Sequence, residues 1–498
     1  MHMASNRRLS RRTMVRYLVA APAGGAMLAV LAACGGAAAT TTTATTAAEA
    51  PAATATTTSA AAATMATTTS ASTSTSAAPT GSATPGAAPA ASARPAGGAV
   101  VIEHWTNLSP TSPEQQAREA TIGTFNGSQQ AVRVALAPGA ADLTKLKTAL
   151  AGGTPPDSAF IAYFDAAALA SAGAVVDLDQ QLRTDKDWGT QRQNIFPLAL
   201  ETSVWRGKLA AMPFSINNNL IMYNGDVLTR AGVQPPQPGW TWDDFVAAAS
   251  KAAKPPDIWG LDLGRYGGWS QYTFWANLGA SNGFKLLSDD GTKVQFNSPQ
   301  AIAITQFHVD LISKYTLAPN DPKFASELLA TGKTAYEQQG SFRMPLLRQK
   351  NVNFGVVANP VAAKGDKRYA DGGGHSLAVF RTDHADQTAA AVTFAKYFSS
   401  APAQLQMALT GTMFPINGTA LLDKSYQDYL AKDPQYKVFA DELPNTGRAP
   451  TLPSFQKFTD TLGAALLDAY AGKKTPSDAH AATQPLLQGI LDQDLKQG

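Results

Sequence analysis

Cysteine is almost missing from this 498-residue chain: Cys34 is the only one. A disulfide within the chain is therefore excluded, and the fold must rest on its apolar cores. Histidine is scarce as well. The six (His2, His104, His308, His375, His384 and His480) show neither the His-x-x-x-His nor the Glu-paired spacing of a metal site. No Gly-x-Ser-x-Gly elbow is present for a serine nucleophile. Thr331-Gly332-Lys333-Thr334 looks like the end of a phosphate-binding loop, but Glu327 stands where that motif needs glycine. Uninterrupted apolar runs are also lacking. The longest candidate, Tyr17 to Ala33, is broken by Pro22, Gly24 and Gly25 and falls short of the roughly 20 residues of a membrane span. A basic face is absent too. The formal charge is +3, but six arginines (Arg7, Arg8, Arg11, Arg12, Arg16 and Arg94) against Glu49 put +5 in the first hundred residues. The remainder carries −2, which gives nucleic acid nothing to hold.

What is present begins with a leader. Ser10-Arg11-Arg12-Thr13-Met14-Val15-Arg16 is similar to a twin-arginine export signal, and Leu31-Ala32-Ala33-Cys34 looks like a lipobox. The resemblance implies cleavage before Cys34 and lipidation of its thiol, with several acyl chains anchoring the protein to the outer face of the cell membrane. From Gly35 to Gly98 the chain is nearly all Ala, Thr, Ser, Pro and Gly. Such a segment has little to bury and is expected to be a disordered spacer.

Beyond Gly98 the length exceeds what one core serves, since single cores stop growing near roughly 250–300 residues. Strand and helix patterns alternate: strands at 100–105, 132–136 and 158–162, helices at 113–125, 142–151 and 165–171. This βαβαβ order predicts a doubly wound lobe, with ligands at the carboxyl ends of its strands. Gly207 to Phe245 reads as strand (208–212), an irregular Asn217-Asn218-Asn219 elbow, strand (220–223) and a helix capped by Asp226. A Pro-rich turn and a helix started by Thr241 and Asp244 follow. Further signals are a turn at Asp289-Asp290-Gly291, a helix from Pro299 to Tyr315, a strand at 376–380 and a helix at 386–399.

The stretch Gly207–Phe245 closely resembles the hinge region of solute-binding proteins that feed bacterial ABC importers. Gly152-Gly153-Thr154-Pro155-Pro156-Asp157 is similar to that family's Gly-Thr-Pro-Asp turn. Thr331–Tyr336 with Gly340-Ser341-Phe342 resembles its Gly-Lys-x-Ala-Met…Gly-Ser-Trp segment, and 354–360, 373–379 and Phe414-Pro415 continue the order. Together they resemble the family 1 extracellular solute-binding proteins, the maltose and glycerol-3-phosphate binders, over nearly all of residues 99–498.

The resemblance implies an α/β, two-lobed periplasmic-binding-protein fold, each lobe a doubly wound sheet flanked by helices. Residues 1–33 would be the signal peptide and 34–98 the lipidated cysteine and linker. One lobe would hold 99–213 with 361–411, the other 214–360 with 412–498. Crossings are expected near 213–217, 360–371 and 411–415.

Sugar recognition needs flat apolar faces for C–H groups and fixed polar groups for hydroxyls. Trp105, Tyr163, Phe214 and Phe342 sit at expected strand ends and elbows, although core burial is the commoner fate of such rings. By resemblance, Trp275 falls where a stacking ring is often placed, Asn217 at the ligand-reaching elbow, and Gly374 and His375 where backbone and side chain approach ligand. Asn107, Ser109, Ser215 and Arg448 complete the candidates. The function implied is capture of a small solute, a sugar or oligosaccharide, by a monomeric lipid-anchored protein. Delivery would be to the transmembrane subunits of an ABC permease, with no catalysis, cofactor, metal or nucleic acid. The alternatives are a surface-anchored carbohydrate-active enzyme, which needs two carboxylates across a cleft, and a sensory or adhesive sugar-binding lipoprotein.

Overall fold

The computed structural model describes residues 98–140, 143–263, 268–319 and 327–496; the expected export signal, Cys34 and nearly all of the expected linker lie outside them. Strands β1 (Val100–Thr106), β2 (Val132–Ala140) and β3 (Ser158–Ala162) are parallel in the order β2-β1-β3. Helices Pro113–Ser128 and Leu143–Ala151 make the connections between them. The first helix starts where the sequence dictates. Ser112 Oγ accepts from Gln115 N, and Pro113 at the first helical position needs no donor partner. Its Ala117, Thr121, Ile122 and Phe125 are buried.

A hairpin of β4 (Val204–Trp205) and β5 (Lys208–Leu209) turns at Arg206 and Gly207, both at positive φ. The strand expected over 208–212 is thus two pieces, and the second, β6 (Met212–Pro213), forms the edge of the first sheet. Proline at the edge leaves no ladder donor missing inside.

The second sheet is built on β7 (Asn217–Asn224), which pairs antiparallel with β9 (Thr334–Gly340), β10 (Phe354–Val357) and β11 (Ala370–Gly373). Its edges are β8 (Trp259–Asp262), parallel to β9, and β13 (Thr446–Arg448), parallel to β11. Strand β12 (His375–Val379) returns to the first sheet between β3 and β6.

Three expectations need correction. Asn217, Asn218 and Asn219 are not an irregular elbow but the first residues of β7, opposite Gly373, Gly372 and Gly340. Their partners lack side chains, and Asn218 Nδ2 is satisfied by Phe439 O (3.1 Å) and Thr446 Oγ1 (3.2 Å), so polar residues fit a buried strand start. Asn224, not Asp226, caps the helix Gly225–Arg230, its Oδ1 accepting from Asp226 N and Val227 N. The second passage between sheets lies at Gly374, because Ala370–Gly373 already belongs to the second sheet. The Thr241–Asp244 capping box is formed in both directions.

Close approach explains the glycine run at that passage. A Cβ on Gly373 would overlap the Tyr163 ring, and one on Gly374 would overlap the carbonyl oxygen of Ser215. Ile216 bridges Phe414 beside it, so the chain segments 213–217, 373–375 and 414 run together.

Candidate functional site

Where the segments pass between the sheets, the carboxyl end of β3 delivers Tyr163 and Phe164 against aromatics of the second sheet's helices. Phe164 lies 5.3 Å from Trp269 and 5.1 Å from Phe455, with 5.3 Å between Tyr163 and Phe164. Tyr272 meets Phe455 edge-on at 6.4 Å. Trp269 and Tyr272 stand on the helix Gly268–Gly279, Phe455 at the start of the helix Phe455–Tyr470. Tyr163 is 4% exposed although it comes from the first sheet, because its ring packs into the second sheet's apolar cluster over Gly373.

Beneath these rings runs a buried polar network. Asp371, on β11, accepts from Thr273 Oγ1 (3.3 Å) and Tyr369 OH (3.5 Å), while its N–H donates to Asn277 Oδ1 (2.5 Å). Asn359 Nδ2 donates to Asn277 Oδ1, Asn219 O and Tyr369 O, and Gln338 Nε2 donates to Asn359 Oδ1. Burial pushes the Asp371 carboxyl up to about 7, against the partial opposition of Thr273 and Tyr369. Burial, with the nearby Asp371 charge second, also lifts the phenols of Tyr163, Tyr272 and Tyr369 well above their ordinary range. They are hydroxyl donors at any physiological pH.

Arg448 closes one side. Its Nη1 donates to Thr451 Oγ1 (2.8 Å) and Ala449 O (3.3 Å), and its Nε lies 3.6 Å from Glu201 Oε2. Tyr272, Phe284, Tyr369 and Arg448 line a cavity of 310 Å³.

A second polar cluster sits on the first sheet. Arg118 is fully buried between the rings of Phe160 and Phe214, 4.9 and 5.0 Å from their centroids. Its Nη2 donates to Glu114 Oε1 (2.5 Å) and its Nη1 to Asn107 Oδ1 (2.8 Å). Burial alone would protonate Glu114, but Arg118 and His375 outweigh it and hold the carboxyl at about 2. His375 Nδ1 lies 3.2 Å from Glu114 Oε1; burial and the Arg118 charge keep its imidazole below the ordinary value.

The sequence candidates separate accordingly. Tyr163, Gly374 and Arg448 stand at the meeting of the sheets. Asn107, Ser215 and His375 belong to the Arg118 cluster or its border, with His375 N–H donating to Ser215 Oγ at 2.9 Å. Asn217 is half-buried in β7, and Phe342 is 40% exposed beside Gly340. Ser109 is exposed, paired with Thr111 in the loop before the first helix. Trp105 is turned toward the helix Leu143–Ala151, under Lys145 and bonded to Glu103.

Phe214 and Trp275 have no face left for a ligand. Phe214 is enclosed by Phe160, Phe398 and Arg118, and Trp275 by Phe284 and Phe296 with its Nε1 bonded to Thr305 (2.9 Å). Residues 271–279 are buried on every side, so apolar periodicity held no clue that Trp269 and Tyr272, not Trp275, reach the junction. Sequence reasoning also missed Phe164, Glu201, Tyr369 and Asp371. The only available signal was an aromatic and an acid just before Gly372-Gly373-Gly374. Among the described residues no group of His, Cys, Asp and Glu could hold a metal, and no helix is long and apolar enough to cross a membrane.

The profile of "Bacterial extracellular solute-binding protein" matches residues 120–437. The sn-glycerol-3-phosphate-binding periplasmic protein UgpB of Salmonella paratyphi A is 24% identical over 296 residues, 56% of this chain. The chain spans 66% of that relative's length. Among solved structures, the cyclic alpha-maltosyl-1,6-maltose binding protein of Arthrobacter globiformis superposes with a TM-score of 0.69. It is 21% identical, and the match covers 80% of this chain and all of that one. UgpB of Mycobacterium tuberculosis, solved with glycerophosphocholine, gives 0.68 at 20% identity with the same coverage. These likenesses establish the two-lobed periplasmic binding fold.

Proposed function

The chain belongs to the family of bacterial extracellular solute-binding proteins, and from that premise we propose that it captures a sugar or oligosaccharide between its two lobes for an ABC importer. The observation that carries this reading is the aromatic junction. Tyr163 and Phe164 from the first sheet meet Trp269, Tyr272 and Phe455 from the second beside the passages of the chain. Phe164 and Trp269, the rings there that keep partial exposure, offer flat area to sugar C–H faces, and Tyr369 and Arg448 supply polar groups beside them, above the buried Asp371. Ligand bridging the lobes stabilises the closed form in proportion to its differential affinity for that form. A membrane permease recognises the closed form, and no bond of the solute is broken. The relatives and fold neighbours named above are binding proteins, which supports a non-catalytic role.

In this reading the lobes divide at the passages 213–217, Gly374 and 411–415. The twin-arginine leader exports the chain, and lipid on Cys34 tethers it by the Ala/Thr/Ser spacer at the outer face of the membrane. Calorimetric titration with a panel of saccharides, paired with small-angle scattering, tests the mechanism. Tight binding accompanied by compaction is expected. A tight ligand that causes no compaction, or turnover of an oligosaccharide, overturns it.

A further inference from the structure

The relatives include binders of neutral saccharides and of phosphate esters, and the charges at the junction discriminate between the two. Arg448 lines the cavity beside Tyr272 and Tyr369 while standing on the edge strand of the second sheet. Its partner Glu201 comes from the helix Pro197–Ser203, which packs on β6 and on the turn after β3, both of the first sheet. The pair therefore spans the two sheets. Both side chains keep solvent access, at 31% and 47%, so a ligand entering the junction competes with Glu201 for the guanidinium.

Two other cations are also paired: Arg118 is enclosed and bonded to Glu114, and Lys285, which lines the same cavity, lies 2.6 Å from Asp289. Asp371 adds an acid behind Tyr369 and Tyr272. A phosphate ester carries close to two negative charges and needs donors not already held by carboxylates. Here it would have to displace Glu201 and then stand near it. A neutral polyol meets no such repulsion and can use Arg448, Tyr272 and Tyr369 as they are.

We infer that Glu201 is a specificity-determining residue: by occupying Arg448 it makes the site select uncharged polyhydroxy ligands and reject phosphate esters. The inference rests on the reading that the junction is the binding site.

The test is titration of the full chain, and of Glu201→Gln and Glu201→Gln/Arg448→Gln variants, with sn-glycerol 3-phosphate at low and high salt. Thermal melts confirm folding of each variant. The wild type is expected to bind the phosphate ester weakly or not at all. Glu201→Gln should gain about tenfold or more, the size of effect expected when a like charge is removed from a close ionic contact. That gain should fall with salt and vanish in the double variant. Tight, salt-dependent binding by the wild type, no gain in Glu201→Gln, or a gain that survives loss of Arg448 each overturns the inference. A saccharide panel run on the same samples separates the two failures. If no saccharide binds but Glu201→Gln gains the phosphate ester, the ligand reading fails and the selectivity pair stands.

Discussion

Replacing Arg118 with methionine should destabilise this protein in a way that depends on pH with a defined sign. The guanidinium is wholly buried, lies between Phe160 and Phe214, and neutralises a Glu114 side chain that is only 10% exposed. In the wild type the Glu114 carboxyl is depressed from 4.5 to about 2. A depressed carboxylate contributes stability that is fully present above the unfolded value near 4.5 and is lost as pH falls through about 2. At 1.36 kcal/mol per pH unit this linkage is worth ~3 kcal/mol at neutral pH. Breaking a buried pair by removing one partner typically costs about 3–5 kcal/mol. The two routes agree in size, and methionine fills the space between the rings, so little of the loss should come from a cavity. In Arg118→Met, burial becomes the dominant influence on Glu114 and raises its carboxyl above 4.5. The variant should then lose stability as pH rises above that value, the reverse of the wild type. Urea unfolding followed by tryptophan fluorescence at pH 3 and pH 7 should show a small deficit at the first and about 3–5 kcal/mol at the second. Glu114→Gln on top of Arg118→Met should recover most of it. An equal deficit at both pH values, or no rescue by Glu114→Gln, would refute the electrostatic argument and leave only packing.

Four further variants test the junction and its surroundings. Gly373→Ala forces a methyl group into the Tyr163 ring and should cost about 1–3 kcal/mol in thermal or urea unfolding; an unchanged midpoint would mean that Tyr163 moves freely. Asp371 has its carboxyl raised from 3.8 to about 7, so the wild type loses stability as pH climbs between those values, and Asp371→Asn should gain about 4 kcal/mol relative to it at pH 8 and nothing at pH 3. Trp269→Ala should weaken solute binding by about 30-fold (~2 kcal/mol) with little change in melting. Trp275→Ala should instead cost about 3–5 kcal/mol of stability, so a binding loss confined to the Trp275 variant would reverse the assignment.

Much of the architecture could be read from local patterns because local energies decide it. Ser112 before Pro113, the Thr241–Asp244 box and the apolar run 158–162 each specify their element without help from distant residues. The same holds for the passage after Pro213, where the missing N–H ends the strand. The βαβαβ order of residues 100–162 likewise requires a parallel sheet, with Tyr163 just past the carboxyl end of its third strand.

Tertiary structure decided what has no local signature. Whether an asparagine sits in an elbow or a strand depended on glycines more than a hundred residues away, since Asn217 and Asn218 could pair only where Gly373 and Gly372 leave room. Which tryptophan of the helix Gly268–Gly279 faces the junction could not be read from a segment buried nearly all round. Asp371 and Glu201 gained their significance from Tyr369, Thr273 and Arg448, brought to them by folding. Element type follows from short-range sterics and capping, which the chain carries in order. The charge and shape of a site depend on which distant side chains share one desolvated space, and only packing determines that.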